Sequence, residues 1–285
     1  MSAFTACTYT SADGLDLFYR DYHPDAAGPP LLCLHGLTRN SADFEDFARI
    51  FSTDYRVVAA DVRGRGNSQW ADDAEAYAIP TYVRDVLALA DAASLDKFVV
   101  VGTSMGGLIG MSLAAAAHDR LAGIVLNDIG AELAPEGLNR IGGYVGRGRD
   151  FTRWEDAADA LRALNEPFFP DFTAADWLDW AKRLFRQRDD GVIVFDYDPR
   201  IAESLSTGAT VPTDLWAVFD ALADIPTLVV RGELSDILTR DTVQAMKARK
   251  PDLATVEVPN RGHAPILNEP AAVDAIATFL KGLSI

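Results

Sequence analysis

Residues 98 to 107 read Phe98-Val99-Val100-Val101-Gly102-Thr103-Ser104-Met105-Gly106-Gly107, and the Ala- and Leu-rich run Leu108 to His118 follows. Phe98 to Val101 predicts a buried strand, Leu108 to His118 predicts a helix, and G-x-S-x-G between them predicts a tight strand-to-helix turn. A serine on such a turn stands clear of the backbone, with neighbouring N–H groups available to stabilise a developing oxyanion. Gly102 and Gly106 suit the turn because strand and helix must pack closely around Ser104, and because glycine accepts dihedrals that other residues avoid. The five-residue pattern alone is common; the strand before it and the helix after it make it a nucleophile elbow.

Working outward, short apolar runs alternate with helical stretches. Leu15 to Tyr22, Pro30 to Leu34 and Arg56 to Ala60 predict strands, and Leu121 to Asn127 predicts the strand after the elbow helix. Ser41 to Phe51 carries Phe44, Phe47, Ala48 and Phe51 at helical spacing, and Tyr82 to Ala93 predicts a second helix. The alternation stops at Ile129 and returns with a strand at Ile225 to Arg231, a helix at Thr239 to Ala248, a strand at Ala254 to Val258 and a helix at Ala271 to Leu283. An α/β fold is therefore expected, a mostly parallel sheet with helices on both faces. Its core comprises residues 1–128 and 212–285, and residues 129–211 form an inserted helical cap. Within the insert, Phe151 to Leu164 and Thr173 to Gln187 are helical by period, and Gly191 to Asp198 is a short run suited to local pairing.

The 285 residues carry a net charge of −16 and are 49% hydrophobic. Such a balance excludes a nucleic-acid-binding surface, which needs clustered Lys and Arg, and an anionic membrane face. No signal peptide or membrane span is read at the start of the chain, so a cytoplasmic protein is expected. Of two cysteines, Cys33 lies in the apolar run Leu31 to Leu34 and reads as core filling. Scattered histidines and the absence of H-E-x-x-H or paired-Cys spacing argue for neither metal nor cofactor. Composition leaves the oligomeric state open.

Ser104 needs a base, and the chain offers His23, His35, His118 and His263. His118 lies fourteen residues along the predicted helix, at ~1.5 Å per residue roughly 21 Å away. His23 precedes Pro24 in an early connection, and His35, followed by Gly36, is better placed to shape an oxyanion loop than to move a proton. His263, in Asn260-Arg261-Gly262-His263-Ala264-Pro265, follows the last predicted strand, where a loop at the carboxyl edge of the sheet can return it to Ser104. Its imidazole needs a carboxylate to hold the tautomer and stabilise the imidazolium. Asp236, after the Ile225 to Arg231 strand and in the order Ser, Asp, His, is preferred; Asp128, at the end of Leu121 to Asn127, is the alternative, and Glu233 a weaker third.

Beyond the elbow, His35-Gly36-Leu37, Asp61-Val62-Arg63-Gly64-Arg65-Gly66-Asn67-Ser68 and Gly262-His263 resemble the HG oxyanion loop, the D-x-R-G-x-G-x-S turn and the G-H histidine loop of the α/β-hydrolase fold superfamily, in its capped, esterase- and lactonase-like branch. The likeness implies oxyanion donors at the backbone N–H groups of Leu37 and Met105, and an architectural role for the 61–68 turn. A serine rather than an aspartate at the elbow implies attack on carbonyl carbon.

The expected activity is hydrolysis of a small carboxylic ester or lactone through an acyl-enzyme, with Ser104 as nucleophile, His263 as base and then acid, and Asp236 orienting it. Carbon-carbon bond hydrolysis of a ring-cleavage product uses the same residues and is the second reading. A ligand-binding receptor on the same scaffold is the non-enzyme alternative, disfavoured because Ser104, Asp236 and His263 are all present. For the substrate pocket the candidates are His35, Tyr144, Phe168, Phe169, Trp177 and Trp180. Arg140, Arg147, Arg149 and Arg153 form a local basic cluster that reads mainly as solvated surface.

Overall fold

Apolar alternation along the early strands sorts their side chains onto two opposed faces. The computed structural model describes residues 4–206, 211 and 213–283. Its first half runs β1 (Thr5–Thr10), β2 (Asp16–Tyr22), β3 (Gly28–Leu34), α1 (Glu45–Phe51), β4 (Tyr55–Ala60), α2 (Ile79–Ala92), β5 (Phe98–Thr103), α3 (Met105–Ala116) and β6 (Leu121–Asn127). Then come α4 (Pro135–Tyr144), α5 (Trp154–Asn165), α6 (Ala174–Leu184), the short strands β7 (Phe185–Gln187) and β8 (Ile193–Phe195), and α7 (Ile201–Ser206). Last are α8 (Leu215–Asp220), β9 (Thr227–Gly232), α9 (Arg240–Arg249), β10 (Ala254–Val258) and α10 (Pro270–Lys281).

Eight strands form one sheet in the order β1-β2-β4-β3-β5-β6-β9-β10. Only the β1–β2 and β2–β4 pairs are antiparallel; the other five pairings are parallel. Leu32, Leu34, Val58 and Val100 face a cluster that includes Tyr82, Val86 and Leu89 of α2 and Leu108 and Ile109 of α3. Their neighbours Leu31, Cys33, Val57, Val99 and Val101 face Phe47 and Phe51 of α1 and Ala272, Ile276 and Leu280 of α10. Each buried Leu, Ile, Val or Phe contributes about 1.5–3 kcal/mol. The expected α/β class is thus observed. β1 was not anticipated from sequence because it is a mostly exposed edge strand with little apolar signal.

Between β3 and β5 the strand order reverses: β3 connects to β4 on one side, and β5 opens the other half. The loops leaving β3 and β5 therefore diverge, and the crevice between them is where open α/β sheets take their ligands.

Elements α4 to α7 and the β7–β8 hairpin add nothing to the main sheet. The helix expected over Thr173 to Gln187 stops at Leu184, because residues 185–187 pair with 193–195. Phe169, Trp177, Trp180, Ala181 and Leu184 build a separate core for this segment. The boundary expected between 211 and 212 abuts residue 212, which lies outside the described residues.

Candidate active site

Ser104 stands at the turn between β5 and α3 with φ 52° and ψ −116°, a left-handed backbone rare for a residue with a side chain. The strain is held by close packing. A β-carbon on Gly102 would come within 2.5 Å of the Gly106 backbone, and one on Gly106 would run into the carbonyl oxygen of Leu34. The Ser104 N–H donates to Asn127 O at 3.0 Å, which ties the turn to the end of β6. Two glycines, a positive φ and a hydrogen bond to β6 thus fix the turn that carries the Ser104 hydroxyl at the sheet edge.

His263 reaches that hydroxyl: its Nε2 is 2.8 Å from Ser104 Oγ. Its Nδ1 is 2.8 Å from Asp128 Oδ2. A carboxylate only accepts, so Nδ1 carries the proton and Nε2 is left to accept from the serine hydroxyl. Asp128 is fully buried and follows directly on the end of β6 with a φ of 55°. Its Oδ1 accepts from Gly232 N–H at 2.8 Å and its Oδ2 also accepts from Ser235 Oγ at 2.6 Å. The loop bearing His263 is clamped from two sides. Asn127 Nδ2 donates to Pro265 O at 2.8 Å, and Gly262 N–H donates to Phe168 O at 2.7 Å.

Gly36 and Leu37 follow β3 alongside Ser104; a β-carbon on Gly36 would lie 3.7 Å from Ser104 Cβ. The backbone N–H groups of Leu37 and Met105 meet no acceptor among the described residues. Met105 opens α3, so its N–H is one of the unsatisfied donors at a helix N-terminus. Two side chains fix this loop. Arg65 donates from Nε to Leu37 O at 2.9 Å and from Nη1 to Arg63 O and Tyr82 Oη. His35 is fully buried, donating from Nδ1 to Gly36 O at 2.7 Å and accepting at Nε2 from Val62 N–H at 3.0 Å. Burial, with the charges of Arg65 and Arg39 nearby, holds its pKa down at about 3, so the ring is a neutral brace.

A cavity of about 450 Å³ opens over Ser104 and His263. Leu37, Ile141, Tyr144, Trp180 and Phe195 supply apolar wall, and Arg39, Asp43, Asp46 and Arg183 supply charge. The size suits a small molecule.

Residues 29–270 match the family model described as alpha/beta hydrolase fold. The chain belongs to the alpha/beta hydrolase fold family. It is 38% identical over 275 residues to a 3-hydroxybutyrate-oligomer hydrolase of Cupriavidus necator, covering 92% of each protein. It is 26% identical over 240 residues to a 2-(acetamidomethylene)succinate hydrolase of Mesorhizobium japonicum, covering 83% of this chain and 82% of that one. The crystal structure of an alpha/beta hydrolase from Novosphingobium aromaticivorans superposes with a TM-score of 0.93 at 46% identity, covering 99% of both chains.

Within this family member several sequence expectations need correction. Asp236, expected at His263, instead makes a two-pronged ion pair with Arg140, at 2.6 Å to Nε and 2.9 Å to Nη2. Asp128, the alternative, takes the place beside the imidazole. Of the pocket candidates, Tyr144 and Trp180 line the cavity. His35 does not, being sealed beneath the loop it braces. Phe169 and Trp177 are buried in the core of the inserted segment. Phe168 packs against Gly262, where a β-carbon would strike its ring, and lies 4.4 Å under the Arg140 guanidinium. The arginine cluster disperses: Arg140 pairs with Asp236, Arg153 with Glu155, and Arg149 lies over Phe151. The 61–68 turn is architectural in its contacts. Asp61 accepts from Ser41 N–H and Asn67 N–H, and buried Arg63 binds Asp13 and Asp85.

Proposed function

We propose that this protein is a serine esterase that cleaves small carboxylic esters through an acyl-enzyme, with short oligoesters of hydroxy acids as its substrate class. The observation that carries the reading is the continuous hydrogen-bonded chain from Ser104 Oγ through His263 to Asp128, open to a cavity at one end and fully buried at the other. The 38% likeness to a 3-hydroxybutyrate-oligomer hydrolase over nearly the whole of both chains supports the substrate class.

Ser104 Oγ attacks the ester carbonyl carbon while its proton passes to His263 Nε2. Negative charge collects on the carbonyl oxygen, where the Leu37 and Met105 N–H groups receive it; each such donor is worth ~10²–10³ in rate. Asp128 stabilises the imidazolium and keeps its Nδ1 proton in place. The imidazolium then protonates the departing alcohol, leaving an acyl ester on Ser104. Water deprotonated by the same imidazole attacks that ester, and the acid leaves as Ser104 recovers its proton. Residues 129–211 serve as a cap, with Ile141, Tyr144, Trp180 and Phe195 over the reacting carbonyl.

Hydrolysis of p-nitrophenyl butyrate by the purified protein and by Ser104→Ala tests the reading. The expected result is turnover abolished by the substitution, with an acyl adduct on the wild-type protein seen by rapid-quench mass spectrometry. Turnover no greater than that of Ser104→Ala would end it.

A further inference from the structure

The cavity is lined by four arginines, Arg39, Arg49, Arg183 and Arg261. Arg49 and Arg183 converge on one carboxylate, Asp46, at 2.7 Å and 2.9 Å. Arg261 is built into the His263 loop, bridging Asp171 and Glu269 and donating to Asn260 O. Arg39 is placed differently. It lies two residues past Leu37, and a β-carbon on Gly36 would stand 3.4 Å from Arg39 Cγ and 3.7 Å from Ser104 Cβ. Gly36 is thus flanked by both the Arg39 stem and Ser104, and both residues line the cavity. The Arg39 charge also reaches the Tyr144 phenol across the cavity, where it opposes the upward shift that burial causes.

The guanidinium is held on two sides and open on the third. Nε donates to Asp43 Oδ2 at 2.7 Å, and the plane lies 4.6 Å over the Trp180 ring. Nη1 and Nη2 meet no acceptor among the described residues, and neither is sealed from solvent. The side chain is only 22% exposed and lines the cavity, which leaves the two outer nitrogens as donors for a ligand there. A planar fork with one edge anchored and two outer nitrogens free matches a carboxylate, whose two oxygens accept side by side.

We infer that Arg39 binds a free carboxylate of the substrate and so selects esters that also carry an ionised acid, such as a hydroxy-acid dimer with its carboxyl end unesterified. This rests on the serine-esterase reading and adds a charge preference to it. Asp43 Oδ2 accepts from Arg39 Nε and so occupies the inner edge of the guanidinium.

The test compares the linear 3-hydroxybutyrate dimer as free acid with the methyl ester of the same dimer, using p-nitrophenyl butyrate as a check on the serine chemistry. In the wild-type protein kcat/KM for the acid is expected to exceed that for the methyl ester by at least tenfold. Arg39→Gln is expected to lower that ratio by ~10-fold or more, chiefly through KM, and Arg39→Lys to lie between. An acid-to-ester ratio near one in the wild type, or one that Arg39→Gln leaves unchanged, overturns the inference while leaving the esterase reading intact. Should none of the three esters be cleaved, the esterase reading falls by itself. Calorimetric binding to Ser104→Ala then decides about Arg39. Tighter binding of acid than methyl ester, lost when Arg39→Gln is added, upholds it; equal binding overturns it.

Discussion

Asp128→Asn separates a proton-holding carboxylate from a merely nearby one. The new amide has one acceptor and one donor end, and the two orientations fail differently. With its NH₂ toward Gly232 it would set two donors against each other, because Gly232 N–H now donates to Asp128 Oδ1 at 2.8 Å. Burying such a clash costs about 1–3 kcal/mol per unmet group. With its NH₂ toward His263 the Gly232 bond survives, but Nδ1 must become the acceptor and the ring proton moves to Nε2. Ser235 Oγ already accepts from the Ile237 and Leu238 N–H groups, so in this second arrangement the amide N–H meets it as a third donor and its own hydroxyl loses its acceptor. Each orientation thus costs one contact, and the second also leaves Nε2 donating to Ser104 rather than accepting. A wrong tautomer of this kind costs ~10⁴ in kcat, about 5.4 kcal/mol at 1.36 kcal/mol per factor of ten. Asp236→Asn breaks the ion pair with Arg140, whose two side chains are 21% and 18% exposed. It is expected to cost about 1–2 kcal/mol of stability and less than tenfold in rate. Measuring kcat/KM on p-nitrophenyl butyrate for both variants, with urea midpoints to show that each is folded, checks the assignment. A larger loss of rate in Asp236→Asn than in Asp128→Asn would refute it.

Gly106→Ala forces a methyl group against the backbone carbonyl of Leu34, which cannot rotate away. A loss of about 1–3 kcal/mol or more is expected in urea unfolding, and an unchanged midpoint would contradict the close approach. His35 makes stability depend on pH. Its folded pKa of about 3 lies below the ordinary 6.5, so the unfolded chain takes up a proton that the folded one refuses. The neutral ring's contribution is complete above about pH 6.5 and is lost as pH falls towards 3, by up to about 1.4 kcal/mol per pH unit. Urea midpoints of the wild type and His35→Gln should therefore lie closer together at pH 4.5 than at pH 7.5; a constant gap would mean that the ring is not held neutral.

The parts of the molecule legible in sequence are those whose cause is local. β5 is a continuous apolar run, Gly102 and Gly106 answer a steric demand within a few residues of Ser104, and the histidine needed only a loop past the last strand. The pocket was less legible because a helical period reports burial without saying against what. Trp177 and Trp180 share the buried side of α6, yet Trp180 alone of the two meets the cavity. Arg39 carries no signal at all until Asp43 and Trp180 are seen to fix it. The choice between Asp128 and Asp236 shows the limit most clearly. Both follow strands that are neighbours in the sheet, β6 and β9, so both emerge at the same edge beside His263. What divides them is non-local: Arg140, ninety-six residues from Asp236 in the chain, captures one carboxylate with two hydrogen bonds. Gly232 and Ser235, more than a hundred residues from Asp128, complete the shell of the other. A buried carboxylate persists as an anion only where donors surround it. The donors, rather than the order of residues along the chain, therefore decide which aspartate can face the imidazole.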